Sequence, residues 1–206
     1  MTVLRIPPLA AIGLAAVLLA GCGLFSRPEI EHYTLEAVPP AGPPAAVGGL
    51  PLGVAAVELP PGLDRQDIVV RGEEEGRLEV RGTELWAAPL GTMVLHTLAF
   101  DLAARLPEGM VVLPGQTRPA GGVRSLDVVF EELVAGPEPE VVLDARWTLL
   151  SAVAGEADLT GREQIREPVD SLDSADVAAG TSRALARLAE RITAGLAGES
   201  TGGERP

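Results

Sequence analysis

The single cysteine of this 206-residue chain, Cys22, limits where the folded part of the chain can begin. It closely follows an apolar run, residues 9–20, that contains no charged residue, and Arg5 is the only charge before that run. A helix that crosses a membrane needs about 20 apolar residues, so this run is too short and is typical of a secretory signal peptide. With no second cysteine, a disulfide within the chain is excluded. We therefore predict that residues 1–21 are removed before folding.

The residues around Cys22 resemble the lipobox of bacterial lipoproteins. Leu19, Ala20 and Gly21 precede the cysteine, which is the lipobox order of an apolar residue, two small residues and cysteine. The resemblance implies cleavage after Gly21, a diacylglycerol on the sulfur of Cys22 and usually an acyl group such as palmitate on its amino group. No other cofactor is expected. The alternatives are an ordinary signal peptide with a chance cysteine, and a buried free thiol.

Acylation at Cys22 would fix the location of the mature protein. Two or three acyl chains hold a protein firmly at a bilayer, whereas a single chain binds reversibly. We therefore expect the protein to lie on a membrane without crossing it, with residues 22–29 as a short tether. Gly23 follows the cysteine, in place of the aspartate that retains lipoproteins in the inner membrane of enteric bacteria. This favours the periplasmic face of the outer membrane over the inner membrane.

The charge of the chain argues against two classes of function. With 16 basic and 29 acidic residues, the net charge is −13, and nucleic-acid binding requires a basic surface. Every basic residue is an arginine, so the lysine of a phosphate-binding P-loop is absent. We therefore predict neither a nucleic-acid partner nor a nucleoside triphosphate site of the usual kind.

Catalytic and metal-binding patterns are also absent from the sequence. His32 and His96 are the only histidines, and a tetrahedral metal site would have to recruit carboxylates without a recognisable spacing. His96 falls in an apolar helical pattern and is interpreted as a packing residue. The carboxylate pair Asp64 and Asp67 and the run 73–75 fall in predicted turns, where acids commonly serve solubility. We predict no metal site and no catalytic residue, so the protein is not an enzyme.

The hydrophobic periodicity predicts one α/β domain over residues 30–197. Alternating or continuous apolar patterns predict strands at residues 30–38, 52–59, 67–71, 77–81, 110–113, 125–134, 140–151 and 163–169. Apolar rows at helical spacing predict helices at residues 89–106 and 172–197. A loop rich in proline and glycine covers residues 39–51, and residues 198–206 are predicted to be a disordered tail. The pattern therefore predicts one α/β domain with one core and two long helices.

The second predicted helix carries a row of arginines. Arg183, Arg187 and Arg191 are four residues apart and so share one flank. Such a row could hold an acidic partner or a lipid head group. The alternative is a solvated helix face, with Glu190 nearby.

The segment 59–90 reads LPPGLDRQDIVVRGEEEGRLEVRGTELWAAPL and carries a family resemblance. The segment contains, in this order, Leu-Pro, Leu-Asp-Arg, Ile-Val, arginine, leucine and Trp-Ala-x-Pro-Leu. This order is similar to the signature of the ABC-type transport auxiliary lipoproteins, the PqiC/YmbA-like family. The matching residues are Leu59, Pro60, Leu63, Asp64, Arg65, Ile68, Val69, Arg71, Leu78, Trp86, Ala87, Pro89 and Leu90. The later segments VVLDARWTLL and Glu-Pro-Val, and the early Tyr-Thr-Leu, also fit. The chain departs from the family pattern at Gln66 and Leu85.

The resemblance implies an α/β fold with a mixed sheet packed by two long helices, like that of anticodon-binding or TolB N-terminal domains. It also implies a role beside MCE-type (mammalian-cell-entry) lipid transport systems, in which an ABC permease works with MCE-domain proteins that form a conduit between the membranes. The lipoprotein is expected to dock that conduit as a non-catalytic auxiliary subunit, and several copies could assemble around it. A rival hypothesis is a structural lipoprotein that assists outer-membrane or envelope assembly. A third is a domain that carries a lipid in its own pocket.

The partner-binding surface is predicted at the turn around Asp64 and Arg65 and the hairpin beside it. Arg71 lies in that hairpin, and Trp86 is a candidate aromatic anchor for the MCE-domain protein or permease. The alternatives are structural: Asp64 caps a helical turn, the arginines pair with neighbouring acids, and Trp86 belongs to the core.

Overall fold

The computed structural model describes residues 29–152 and 157–202 of the chain. Within these residues, the compact unit that carries the fold begins at Glu31. The predicted signal peptide, the cleavage site at Gly21 and the lipidation site at Cys22 lie outside the described residues. So do the predicted tether, except for Glu29, and residues 203–206 of the predicted tail.

Seven strands of the described residues form one mixed sheet. They are β1 Glu31–Tyr33, β2 Leu52–Glu58, β3 Asp67–Arg71, β4 Leu78–Trp86, β5 Arg124–Ala135, β6 Glu140–Leu150 and β7 Ala157–Pro168. Their order is β1-β4-β3-β5-β6-β7, and β2 pairs with β5 as well. The hairpins β3–β4, β5–β6 and β6–β7 are antiparallel, whereas β1–β4, β2–β5 and β3–β5 are parallel. The predicted α/β fold with a mixed sheet is confirmed.

Two helices, α1 Leu90–Arg105 and α2 Ser174–Gly202, pack on this sheet. The apolar row predicted for each helix is buried, as is expected for a helix with one core-facing stripe. Helix α2 continues past the predicted end, so residues 198–202 of the predicted disordered tail are helical, because extending an existing helix costs far less than starting one. Among the described residues, no helix is both long enough and apolar enough to span a membrane.

Two predicted strands are shorter in the structure. β1 ends at Tyr33 because its parallel partner β4 ends at Trp86, directly opposite, and the chain then turns into α1. Beyond Tyr33 the side chain of Leu35 is buried without strand pairing, while Ala37 is exposed. The predicted strand 110–113 is reduced to a single parallel bridge between Val111 and Leu52.

Strand β6 contributes a fully buried row of side chains to the core. Leu143, Ala145 and Leu149 of β6 are fully buried, and Trp147 is 4% exposed, as the alternating pattern predicts. The indole of Trp147 lies against Gly161 of β7, where a Cβ atom would come within 2.5 Å of the ring. Glycine at this position therefore allows the indole to lie flat against the neighbouring strand.

A buried ion pair in α1 holds the start of the loop 39–51. Arg105 contacts Asp101 at 3.1 Å, and the two side chains are 4% and 0% exposed. Asp101 accepts the backbone N–H of Val38 at 2.9 Å, and Arg105 donates to the carbonyl of Val38 at 3.1 Å. Burial raises the pKa of Asp101 to about 6, although the hydrogen bond from Val38 and the charge of Arg105 oppose this. Beyond the end of β1, the ion pair therefore supplies the hydrogen-bond partners that a neighbouring strand would otherwise supply to Val38.

Candidate docking face

The hairpin β3–β4 and the turn 60–66 beside it form a surface that we call the docking face. Leu78 and Val80 of β4 are 45% and 47% exposed, which is unusual for large apolar side chains in a strand. They are opposite Arg71 and Val69 of β3, and therefore lie on the same side of the hairpin as these residues. Ile68 and Val70, at the alternate positions of β3, are instead buried in the main core.

The tip of the hairpin is acidic and tightly turned. Glu73, Glu74 and Glu75 are all exposed, and Gly76 has a φ of +77°, a conformation that glycine adopts without strain. The N–H of Gly72 donates to the carbonyl of Arg77 at 3.0 Å and closes the turn. Two exposed apolar side chains therefore lie next to a concentrated negative charge.

A small apolar cluster fixes the turn 60–66 against the sheet. Leu63 of the turn, Val69 of β3 and Val134 of β5 are each less than 10% exposed and pack together, separately from the main core. The N–H of Leu63 also donates to the carbonyl of Pro60 at 2.8 Å. The turn is therefore an ordered part of the docking face.

Asp64 caps a helix, but not the local turn for which the sequence predicted it. Its Oδ1 accepts the backbone N–H of Gly91, in the first turn of α1, at 3.1 Å. Pro89, at the N-cap position, makes no side-chain hydrogen bond to the helix, so Asp64 supplies the missing acceptor from 27 residues away. A Cβ at position 91 would be 3.0 Å from this oxygen, which explains the glycine after Pro-Leu.

The two predicted arginines pair with neighbouring acids. Arg65 contacts Asp67 at 2.7 Å, with side chains that are 43% and 29% exposed. Arg71 contacts Glu132 of β5 on the side of the sheet that carries Leu78. Both arginines remain partly exposed, and their role in partner binding stays a prediction.

Trp86 is a core residue, which corrects the expectation of an exposed aromatic anchor. It is 4% exposed and belongs to the main core cluster, and its backbone N–H donates to the carbonyl of Gln66 at 2.7 Å. Trp86 is the last residue of β4, shortly before the chain enters α1. The exposed apolar side chains of the docking face are instead Leu78 and Val80, which sequence reasoning missed. Their alternation with Glu79 and Arg81 would normally predict a buried face.

No cluster of three or more histidine, cysteine or acidic side chains suited to a metal ion is found in the described part of the chain. His32 and His96 are both exposed and lie on different elements, β1 and α1. The interpretation of His96 as a packing residue is therefore wrong, because it lies on the solvent side of α1.

Replacing Asp64 with alanine should destabilise the fold by about 1 kcal/mol, since the N–H of Gly91 loses its acceptor. Asp64→Asn keeps an acceptor oxygen and should retain most of that stability. Urea unfolding of the full-length chain in a non-ionic detergent measures both effects. An Asp64→Ala variant as stable as the unaltered chain would contradict the capping role.

Two proteins of known crystal structure have a similar fold. One is an uncharacterised protein with 16% sequence identity and a TM-score of 0.64, and the match covers 81% of this chain and 97% of that one. The other comes from Xanthomonas campestris and is assigned to the DUF330 family; it has 19% identity and a TM-score of 0.63, covering 84% of this chain and 98% of that one. At these identities the likeness concerns the fold alone. No curated protein matches the sequence.

A family model covers most of the chain. Residues 33–193 match the model of the ABC-type transport auxiliary lipoprotein component, and this range includes the docking face and both ion-paired arginines described above. The match agrees with the resemblance found in residues 59–90. It assigns an auxiliary role in ABC-type transport and a lipoprotein's attachment to an envelope membrane. The chain belongs to the ABC-type transport auxiliary lipoprotein family.

Proposed function

We propose that this protein is a non-catalytic subunit that links an MCE-type ABC lipid transport system to the outer membrane. Acyl groups on Cys22 would hold it at the periplasmic face of that membrane, and no further cofactor would be needed. The docking face would bind an MCE-domain protein or the permease. The observation that carries the proposal is the exposed pair Leu78 and Val80 beside an acidic hairpin tip.

The chemistry of the docking face indicates what its partner should present. Exposed apolar side chains next to one another gain free energy when a partner removes them from water, and such side chains often form the centre of an interface. Glu73, Glu74 and Glu75 lie at the rim, where charge sets orientation and the rate of encounter. We therefore expect an apolar patch with a basic rim on the transporter subunit.

The positions of Asp64, Arg65 and Arg71 support a shaped surface rather than a flexible loop. Each is held by a contact within the chain, and the turn is packed on Leu63. A surface that is already ordered loses little conformational entropy on binding. These three residues would position the face, while Leu78 and Val80 would make the apolar contact.

The proposal predicts that a Leu78→Thr, Val80→Thr double variant recovers at least about fivefold less transporter subunit after cross-linking in cells, a loss on the order of 1 kcal/mol. Threonine keeps the strand preference of both sites and removes only apolar surface. The full-length acylated protein would be purified from detergent-solubilised membranes and its cross-linked partners identified by mass spectrometry.

Phe100→Thr is the matched control, because Phe100 is 48% exposed on α1, away from the docking face. Recovery of an MCE-domain protein or permease that is normal in the control and reduced in the double variant would support the proposal. Recovery of barrel or cell-wall components alone would favour the structural lipoprotein and overturn it. Equal recovery of the transporter subunit from the double variant and from the control would show that the docking face is not part of the interface.

A further inference from the structure

A second surface, far from the docking face in the sheet order, is lined by arginines. A groove of about 460 Å³ lies between β7 and α2, and Arg166, Arg187 and Arg191 line it together with Gln164 and Glu190. Three positive side chains and one negative side chain are unusual on a chain whose net charge is −13. We call this groove the basic groove.

The arginine row is held in place by acids of β7. Glu167 is nearly buried and contacts Arg183 at 2.7 Å and Arg187 at 2.9 Å, both through the Nε atoms. Arg191 is 69% exposed and lies 4.0 Å from Glu163. The Nε contacts of Arg187 leave its terminal nitrogens available, and Arg191 is only loosely paired. The two arginines therefore offer charge-assisted donors along the groove.

The row runs alongside β7 in the opposite direction. Arg183 and Arg187 contact Glu167, and Arg191 lies near Glu163. The four-residue step from Glu167 to Glu163 along β7 therefore runs beside one to two turns of α2. One helical turn rises by about 5.4 Å, and two strand residues span about 6.7 Å. Side chains at alternate positions of an added strand would thus have nearly the same spacing as the guanidinium groups.

β7 also has an open edge. Among the described strands it pairs only with β6, so the N–H and C=O groups on its other edge have no strand partner there. Edge strands of this kind accept an extended peptide by strand addition. The charged side chains of β7 disfavour apolar strands, and the neighbouring arginines favour acidic ones.

We propose that the basic groove binds an extended acidic segment of a partner protein, which adds to the edge of β7 and places alternate carboxylates near Arg187 and Arg191. The open strand edge favours a peptide over a phosphate-bearing lipid head group, since a head group would contact the arginines but not the backbone of β7. The acidic chain also repels anionic bilayers. This surface is separate from the docking face, so each proposal can fail without the other.

The test uses the full-length chain in a non-ionic detergent and a fluorescently labelled peptide of sequence Thr-Glu-Val-Glu-Val-Glu-Thr. Binding measured by anisotropy should weaken about fivefold or more in Arg191→Gln and change less than about twofold in Arg118→Gln, an exposed arginine that does not line the groove. Arg191→Gln is the decisive variant, because it leaves the nearly buried Glu167 with both of its partners. A glutamine version of the peptide, and a version N-methylated at alternate positions, should both bind at least about fivefold more weakly.

Four outcomes would overturn the proposal. If Arg191→Gln and Arg118→Gln weakened binding of the acidic peptide equally, the effect would come from overall charge rather than from the basic groove. Unchanged binding of the N-methylated peptide would exclude strand addition. Binding to vesicles of phosphatidylglycerol, reduced by Arg191→Gln, without binding of the acidic peptide would assign the groove to a lipid head group. Self-association of the protein that Arg191→Gln abolishes, again without peptide binding, would assign the groove to the acidic hairpin tip of a second copy.

Discussion

Replacing Arg105 with methionine is expected to lower the free energy of unfolding at pH 7 by about 3–5 kcal/mol, because it leaves the carboxylate of Asp101 buried without its cation. The carbonyl of Val38 would lose its donor from Arg105 at the same time. Urea unfolding of the full-length chain in a non-ionic detergent measures the change. Removing both charges, as in Asp101→Leu with Arg105→Met, should recover part of the loss, because no unpaired charge is then left buried, while the N–H and C=O of Val38 both stay without these partners.

Two further variants make this prediction sharper. Arg118→Met removes an exposed arginine and should change the free energy of unfolding by less than about 0.5 kcal/mol. Asp101→Asn keeps an oxygen for Val38 and removes the titration. The folded-state pKa of about 6 lies above the ordinary aspartate pKa of 3.8, so Asp101 lowers stability as the pH rises through this window, by up to about 3 kcal/mol. Relative to Asp101→Asn, the unaltered chain should therefore be more stable near pH 4 than near pH 7. A difference that does not change with pH would contradict the raised pKa.

Replacing Gly161 with alanine is expected to lower the free energy of unfolding by about 2–3 kcal/mol. The new Cβ would lie 2.5 Å from the indole of Trp147, a rigid ring that has little room elsewhere, since even a Cβ built at Gly195 of α2 would lie only 3.3 Å from it. Overpacking of a filled core typically costs about 1–3 kcal/mol. The change should appear both in urea unfolding and in the tryptophan fluorescence of the folded state.

Gly82→Ala is the matched control for this substitution. Gly82 also lies within a strand, β4, but a Cβ there would meet nothing within 4 Å and its φ is not positive. It should be neutral or slightly stabilising, by less than about 1 kcal/mol, because alanine restricts the unfolded chain more than glycine does. Equal losses at both sites would attribute the effect to strand glycine in general rather than to the contact with Trp147.

The elements with a strong periodic pattern could be predicted from the sequence. The leucine rows of both helices and the hairpin β5–β6 lie as expected, because one-sided burial leaves a regular trace along the chain. The end of β1 could not be predicted, since it depends on where the partner strand ends. The pair of Asp101 and Arg105 is also unmarked, because acids and arginines at helical spacing are far more common on exposed faces.

The candidate site also has features that could be predicted from the sequence and features that could not. The sequence located the region, residues 59–90, but the pattern there reflects how the turn, hairpin and α1 are joined. Asp64 and Trp86 of the motif both have structural roles, since Asp64 accepts the N–H of Gly91 and Trp86 lies in the core. Leu78 and Val80 were missed because an alternating strand pattern does not reveal which side a helix will cover. Only the tertiary arrangement distinguishes an exposed apolar pair from a buried one.

The hydrogen bonds that Asp101 and Arg105 make with the backbone of Val38 have a mechanical consequence. Any pull on the chain before β1 is first resisted by a three-residue strand, which offers few hydrogen bonds against a tensile load. The next points of resistance are Glu36, whose N–H donates to the hydroxyl of Ser182 in α2 at 3.1 Å, and Val38, whose N–H and C=O are both held by the charged pair of α1. Force that enters at the amino-terminal side would therefore pass from the sheet edge into both helices of the core through the short segment 34–38.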